Sequence, residues 1–384
     1  MSQSRKSVPK RRFMEFNNAV AWEQRKLGKE VENVATGRST FFTSIEQSSE
    51  TPYAVLGSTS VISYDKNFDH SGDFILTARV GANAGNLYKY SGDVKISDNT
   101  VYIQAKSLDF VYYLLNKFDL KRLSFGTGQP LVKASELKNL KLMFPNDEEE
   151  QQKIGKFFKY LDDTIALHQR KLEKIKALKT AYLSEMFPAE EETKPKRRFA
   201  GYTDDWKQRK LGEDVNFLNG RAYSQRELLD KGKYKVLRVG NFNTNDRWYY
   251  SDLELEENKY ANSGDLLYLW ATNFGPEIWN QEKVIYHYHI WKLKIMNTNV
   301  SKQYLYTWLI TDKERIKQST NGTTMVHVTK GHIEQREFQI PSNLTEQQKI
   351  GSFFKQLDKT IALHQRKLQK LQNIKKAYLN EMFI

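Results

Sequence analysis

The chain has 384 residues and no cysteine, so it can form neither disulfides nor thiolate metal sites, and a reducing cytoplasm is the economical setting. Proline is scarce, at 8 residues against 21 Tyr and 21 Phe, which excludes collagen-like and low-complexity disordered chains. No apolar run approaches the roughly 20 residues needed to cross a bilayer, and MSQSRKSVPKRR at the start lacks the apolar core of a secretory signal. Gly-Lys-Ser and Gly-Lys-Thr are absent, so an ATP phosphate loop is excluded. Pro-Pro is absent too, which removes the Asn/Asp-Pro-Pro-aromatic signature of amino-methyltransferases. The Gly81–Gly85 loop lacks the context of a dinucleotide fingerprint, and no nucleophile sits in an elbow motif. His287 and His289 are expected on one strand face, with His327 and His332 later in the same block. A histidine metal site there is disfavoured, because no carboxylate stands at ligand spacing and the first half has no counterpart. These absences describe a binder without catalysis or cofactor of its own.

What the chain does have is positive charge, +14 in formal count, and its distribution is uneven. Residues 1–12 carry +5, 150–187 carry +3 and 346–383 carry +5, whereas 13–149 carry −2 and 201–345 carry +2. A polyanionic partner is implied, gripped by local patches on two nearly neutral blocks.

The chain is also duplicated. Glu150–Phe187 returns as Glu346–Phe383 with 28 identities in 38 positions. Pro9–Phe13 (PKRRF) returns as Pro195–Phe199, and WEQRKLG from Trp22 returns as WKQRKLG from Trp206. The blocks between, about 25–145 and 210–341, share only punctuation: Gly72-Asp73 with Gly264-Asp265, Gly126-Thr127 with Gly322-Thr323, Phe144-Pro145 with Ile340-Pro341. The expected divisions are a basic tail (1–12), a first domain (13–149), a helix (150–187), a linker (188–200), a second domain (201–345) and a second helix (346–384).

In the repeated segment, apolar residues step by four and three, the seam of a coiled coil. Leu161, Ile165, His168, Leu172 and Ile175 form it in the first copy, and Leu357, Ile361, His364, Leu368 and Leu371 in the second. The simplest partner for one seam is the other, and an antiparallel pair of about 30 residues is a rigid spacer of about 45 Å. The two histidines are expected to fix register.

The blocks predict a mixed α+β class. Short strands are expected at Phe74–Ala78, Thr100–Ile103, Lys235–Val239, Leu266–Leu269 and Val284–His287, and helices at Phe110–Asn116 and Lys302–Thr311. The loops carry groups suited to base edges and phosphates, although the same residues serve turns. The candidate contacts of the first block are Ser58, Thr59, Arg79, Asn83, Asn86, Lys89, Thr127, Gln129 and Lys133. Those of the second are Arg238, Asn241, Asn243, Thr244, Asn273, Thr323, Thr324, His327 and Lys330.

The paired EQQKIG…TIALHQRKL…AYLxEMF segments, the PKRRF and WxQRKLG openings, and the matched Gly-Asp, Gly-Thr and (Phe/Ile)-Pro marks resemble the specificity subunits of type I restriction-modification systems. The resemblance spans nearly the whole chain. It implies two target recognition domains, each reading half of a split, asymmetric double-stranded DNA target. It implies helices that form an antiparallel coiled coil, set the spacing and dock two methyltransferase subunits. The methyltransferases would use S-adenosylmethionine, and two restriction subunits would use ATP and magnesium to translocate and cleave DNA. A coiled-coil adaptor bearing two protein-binding domains is the alternative reading of the same pattern.

Overall fold

The computed structural model describes residues 6–40, 43–124, 130–242, 246–271, 274–319 and 328–384. It divides into two compact units, residues 1–170 with 366–384, and residues 171–365. Neither long helix belongs to one unit alone. The first, Glu148–Glu185, lies in unit 1 through Arg170; the second, Leu344–Met382, enters unit 1 at Arg366. No helix among the described residues is long and apolar enough to cross a membrane.

Unit 1 is built on a four-stranded antiparallel sheet ordered Asn33–Thr36, Thr100–Gln104, Asp73–Ala78, Leu87–Ser91. Both its faces are buried, and the period of two sorts them. Ile75, Val101 and Ile103 join the cluster formed with Trp22, Phe110, Phe144 and Phe158. Phe74, Leu76 and Tyr102 point the other way, into a cluster shared with Ala54, Leu56, Val94 and Ile96 of a second sheet, Val61–Asp65, Tyr53–Leu56, Val94–Ile96. A third sheet pairs Trp22–Lys26 with Lys141–Phe144 on one side and Lys6–Ser7 on the other.

Unit 2 repeats this plan. Val215–Asn219, Ile290–Ile295, Leu266–Leu269 and Gly275–Ile278 form its central sheet, with Leu266 and Tyr268 on one buried face and Leu267 and Leu269 on the other. The second sheet is Tyr249–Ser251, Tyr234–Leu237, Val284–Tyr286, Tyr260–Ala261, and Lys207–Lys210 pairs with Glu337–Ile340. In each unit one helix, Leu108–Phe118 or Lys302–Ser319, lies against a long helix at a glycine. A Cβ on Gly155 would lie 2.6 Å from the Phe110 amide nitrogen, and one on Gly351 would lie 2.8 Å from that of Tyr304. Only the bare α-carbon allows that approach.

The helix segments run antiparallel within each unit. In unit 1 Phe157 meets Tyr378 edge-on (5.1 Å between centroids), Phe158 meets Phe383 (5.5 Å), and Lys375 pairs with Asp162 at 2.5 Å. In unit 2 Tyr182 meets Phe353 (5.2 Å), Phe187 meets Phe354 (6.1 Å), and Lys179 pairs with Asp358 at 2.5 Å. Of the seam positions, Leu161, Leu172 and Leu368 are buried; Ile165, His168, Ile175, Leu357, Ile361, His364 and Leu371 are half-buried.

Four details differ from the sequence reading. The basic lead is no free tail. Lys6–Ser7 is a strand, Arg11 pairs with Glu381 at 2.6 Å, and Arg12 holds Glu150 through two contacts of 2.6 Å. The lead spends that charge inside unit 1. Similarly, in the segment expected as linker, Arg198 grips Glu346 at 2.6 and 2.8 Å. The strand expected over Lys235–Val239 stops at Leu237, because the Asn241 side chain accepts the Arg238 amide at 3.0 Å and a 3-10 turn follows over Val239–Phe242. The strand expected through His287 ends at Tyr286; His287 makes an isolated parallel bridge to Arg221, and His289 lies in the turn that leads from Val284–Tyr286 to Ile290–Ile295 of the other sheet.

Candidate functional site

The strongest internal evidence for a site is a backbone frame repeated hydrogen bond for hydrogen bond at one end of each central sheet. In unit 1 Ser97 N donates to Leu56 O, Thr100 N to Ser97 O, Gly37 N to Thr100 O, Arg79 N to Asn99 O and Val132 N to Arg79 O, at 2.8–3.1 Å. In unit 2 His287 N donates to Leu237 O, Ile290 N to His287 O, Gly220 N to Ile290 O, Trp270 N to His289 O and Val328 N to Trp270 O, at 2.9–3.2 Å. The frame is common and its side chains are not. Arg79, Ser97 and Asn99 of unit 1 correspond to Trp270, His287 and His289 of unit 2.

Several residues expected at the unit 1 site converge on this end. Ser58, in the turn carrying Thr59, donates to Asn99 O at 3.3 Å, and Arg79 is exposed beside Asn99. The Asn83–Asn86 turn follows, closed by Asn86 N donating to Asn83 O at 3.0 Å, and Lys133 follows Val132 out of the frame. Lys89 does not join them. It pairs with Asp109 at 2.5 Å near the start of the Leu108–Phe118 helix and lines a separate cleft with Lys106, Lys156 and Lys159. Its strand, Leu87–Ser91, carries it away from that end. Thr127 and Gln129 lie outside the described residues, as do Asn243, Thr244, Asn273, Thr323, Thr324 and His327.

In unit 2 Arg238, Asn241 and Lys330 remain, and the structure adds residues that the sequence reading passed over. Arg238 lies 4.9 Å from the centre of the Tyr249 ring, with Arg247 at 5.0 Å. Arg221 lies over Tyr223 at 5.3 Å and pairs with Glu227 at 2.7 Å; Arg221 and the Ser224 amide and hydroxyl hold the Glu227 carboxyl down to about 2. Tyr223 stacks on His287, which neighbours Tyr288 and His289, and His289 meets Trp270 edge-on at 4.9 Å. The findable signal was aromatics interleaved with cations, a nucleic-acid pattern that single-loop chemistry does not reveal.

Among the described residues no group of three or more His, Asp or Glu is arranged to hold a metal. His287 is instead part of the aromatic cluster. Burial first, then His289 and Arg238, push its imidazole down to about 4. Its folded pKa lies below the unfolded value, so whatever stability it contributes is present above about pH 6.5 and is lost as pH falls towards 4. The expected NMR titration leaves His287 neutral until about pH 4; a midpoint near 6.5 would show that the ring is solvated. At neutral pH, therefore, His287 offers no positive charge to a phosphate.

The model of the type I restriction modification DNA specificity domain matches this chain twice, over residues 19–177 and 203–373. Among curated relatives, the type I restriction enzyme MjaVIII specificity subunit of Methanocaldococcus jannaschii is 23% identical over 78% of this chain and 76% of its own length. A putative type I specificity subunit of Mycoplasma genitalium is 26% identical over 36% of each chain. Among solved structures, the S subunit of a type I system from M. genitalium superposes with a TM-score of 0.68 at 17% identity, covering 98% of this chain and 99% of that one. That superposition shows a shared fold. With two copies of the specificity domain, the duplicated helices and the repeated frame, the chain belongs to the family of type I restriction-modification DNA specificity subunits.

Proposed function

We propose that each unit reads one half of an asymmetric, two-part DNA sequence, and that the antiparallel helices set the gap between the halves and dock two methyltransferase subunits. The chain itself contributes recognition and no chemistry. Its methyltransferase partners would bring S-adenosylmethionine, and two restriction subunits would bring ATP and magnesium. The observation that carries this reading is the repeated frame with unlike side chains, since two copies of one scaffold holding Arg79 and Asn99 in one unit and Trp270 and His289 in the other present different surfaces to similar grooves. An unlike pair of readers favours an unlike pair of half-sites. The near-neutral recognition blocks leave much of the phosphate neutralisation to the partner subunits. The cell compartment consistent with this role is the cytoplasm.

The test is co-expression with the methyltransferase subunit, followed by genome-wide mapping of methylated adenines. One two-part motif with a fixed gap is expected. Exchanging residues 25–145 for those of a relative should change one half only, and exchanging 210–341 the other. Methylation that ignored both exchanges would overturn the assignment in favour of a spacer-adaptor.

A further inference from the structure

Building on the reading that unit 2 grips DNA, we propose that the cleft beside Trp270 is a stacking subsite that takes the face of one nucleobase displaced from its helix. The cleft measures about 490 Å³ and is lined by Trp270, Tyr288, Trp291, Val328 and Lys330, with the Asn219-Gly220 turn and Thr329 at its margin. Its wall is a ladder of rings. Buried Tyr268 stacks on Trp291 at 5.9 Å and 18°, and Trp291 stacks on half-buried Trp270 at 6.0 Å and 22°. The indole N–H of Trp270 donates to Tyr288 O at 2.7 Å, which fixes the plane of the ring before any ligand arrives. A fixed, flat, apolar platform loses little entropy on accepting another flat ring.

Charge selects the kind of ring. Among the described residues lining the cleft none is acidic, and Lys330 is one of them, its partner Glu334 standing 3.7 Å away outside the lining. Arg221 flanks the same aromatic series through Tyr223 and His287, already paired with Glu227. Aromatic faces with cations beside them suit a base attached to phosphates better than a neutral side chain of a protein. Among the described residues of unit 1, Arg79 stands in the frame position of Trp270, beside Asn99, and Val101, paired with Thr77, stands in the strand position of Trp291. The two half-sites would therefore be read by different physics, an edge-reading guanidinium in one and a stacked face in the other. Stacking exposes a base only if it leaves its neighbours, which costs least at a weak step or a mismatch.

The experiment uses the complex of this chain with its methyltransferase subunits and a duplex carrying its mapped target. Trp270→Ala is expected to weaken binding to that target by about 10- to 100-fold, the range of base–aromatic stacking. Trp270→Phe should recover most of the loss, and the salt dependence should stay unchanged because no phosphate contact is removed. Tyr288→Ala, on an exposed turn, is the second variant, expected to weaken binding without disturbing the fold. In the parent complex, 2-aminopurine walked through the unit 2 half-site should report one unstacked position, and a mismatch there should tighten binding. A duplex with no unstacked position, or variants that bind like the parent, would overturn the subsite while leaving the DNA reading intact. Variants that weaken assembly with the methyltransferase instead of DNA binding would assign the cleft to a protein partner and overturn it too. A parent complex with no preference for its target would defeat the underlying reading itself.

Discussion

Replacing Phe383 by alanine is expected to destabilise unit 1 by about 3–5 kcal/mol, the usual cost of deleting a buried aromatic ring. Phe383 is 3% exposed and packs against Trp22, Phe110 and Phe158 at 5.5–6.3 Å between centroids. Those partners come from three distant stretches of the chain, and Phe383 follows directly on the second long helix, whose Met382 joins the same cluster. Its counterpart Phe187 does the same for unit 2 against Trp206, Tyr304 and Phe354. Limited proteolysis read by mass spectrometry separates the two. Phe383→Ala should bring new cleavage within 13–149 and spare 201–345, and Phe187→Ala the reverse. Equal cleavage of both units by either variant would show that these rings do not serve separate cores.

The second large effect is expected at the paired guanidinium–carboxylate locks. The Glu150 side chain is fully buried, held by Arg12 through two bonds and by the Trp22 indole at 3.3 Å, while Arg12 also donates to Ala19 O at 3.0 Å and Val20 O at 3.2 Å. Arg12→Ala leaves a buried carboxylate unpaired and should cost about 3–5 kcal/mol. Truncating both partners to similar apolar shapes, Arg12→Met with Glu150→Leu, should return most of that loss, since a buried ion pair offsets little more than its own desolvation. Arg198 and Glu346 are expected to behave alike, with Glu346 1% exposed and Arg198 14%. Denaturant unfolding measures both. A single-variant cost below about 1 kcal/mol would place these pairs with ordinary surface bridges.

The frame of the molecule was legible because it is written twice. Twenty-eight identities in two 38-residue segments, with apolar steps of four and three, announce a helix pair before any coordinate is consulted. The strands Asp73–Ala78 and Leu266–Leu269 were also readable from β-branched and aromatic content between Gly and Asn. The site was less so. Trp270 looks like another core aromatic in a run of them, and only the fold reveals that it occupies the position of Arg79. Lys89 stands apart from that end of the sheet for the converse reason: a lysine near a loop reads as a contact, and nothing local signals its pairing with Asp109. The lead Pro9–Phe13 reads as a charged tail because the carboxylates that neutralise it, Glu150 and Glu381, are far away in sequence.

Unit 1 contains both the first and the last stretches of the chain, and this sets an order of events during synthesis. A growing polypeptide usually folds from its N-terminus as it emerges at about 5–20 residues per second. Here Trp22, Phe110, Phe144 and Phe158 must wait for Phe383, with the whole of unit 2 translated in between. Unit 2 needs nothing beyond Gln365 and can close first. The N-terminal half thus leaves the ribosome with its apolar face uncovered, a substrate for chaperones or for another nascent copy of the same helix, until the final turns of the second helix arrive.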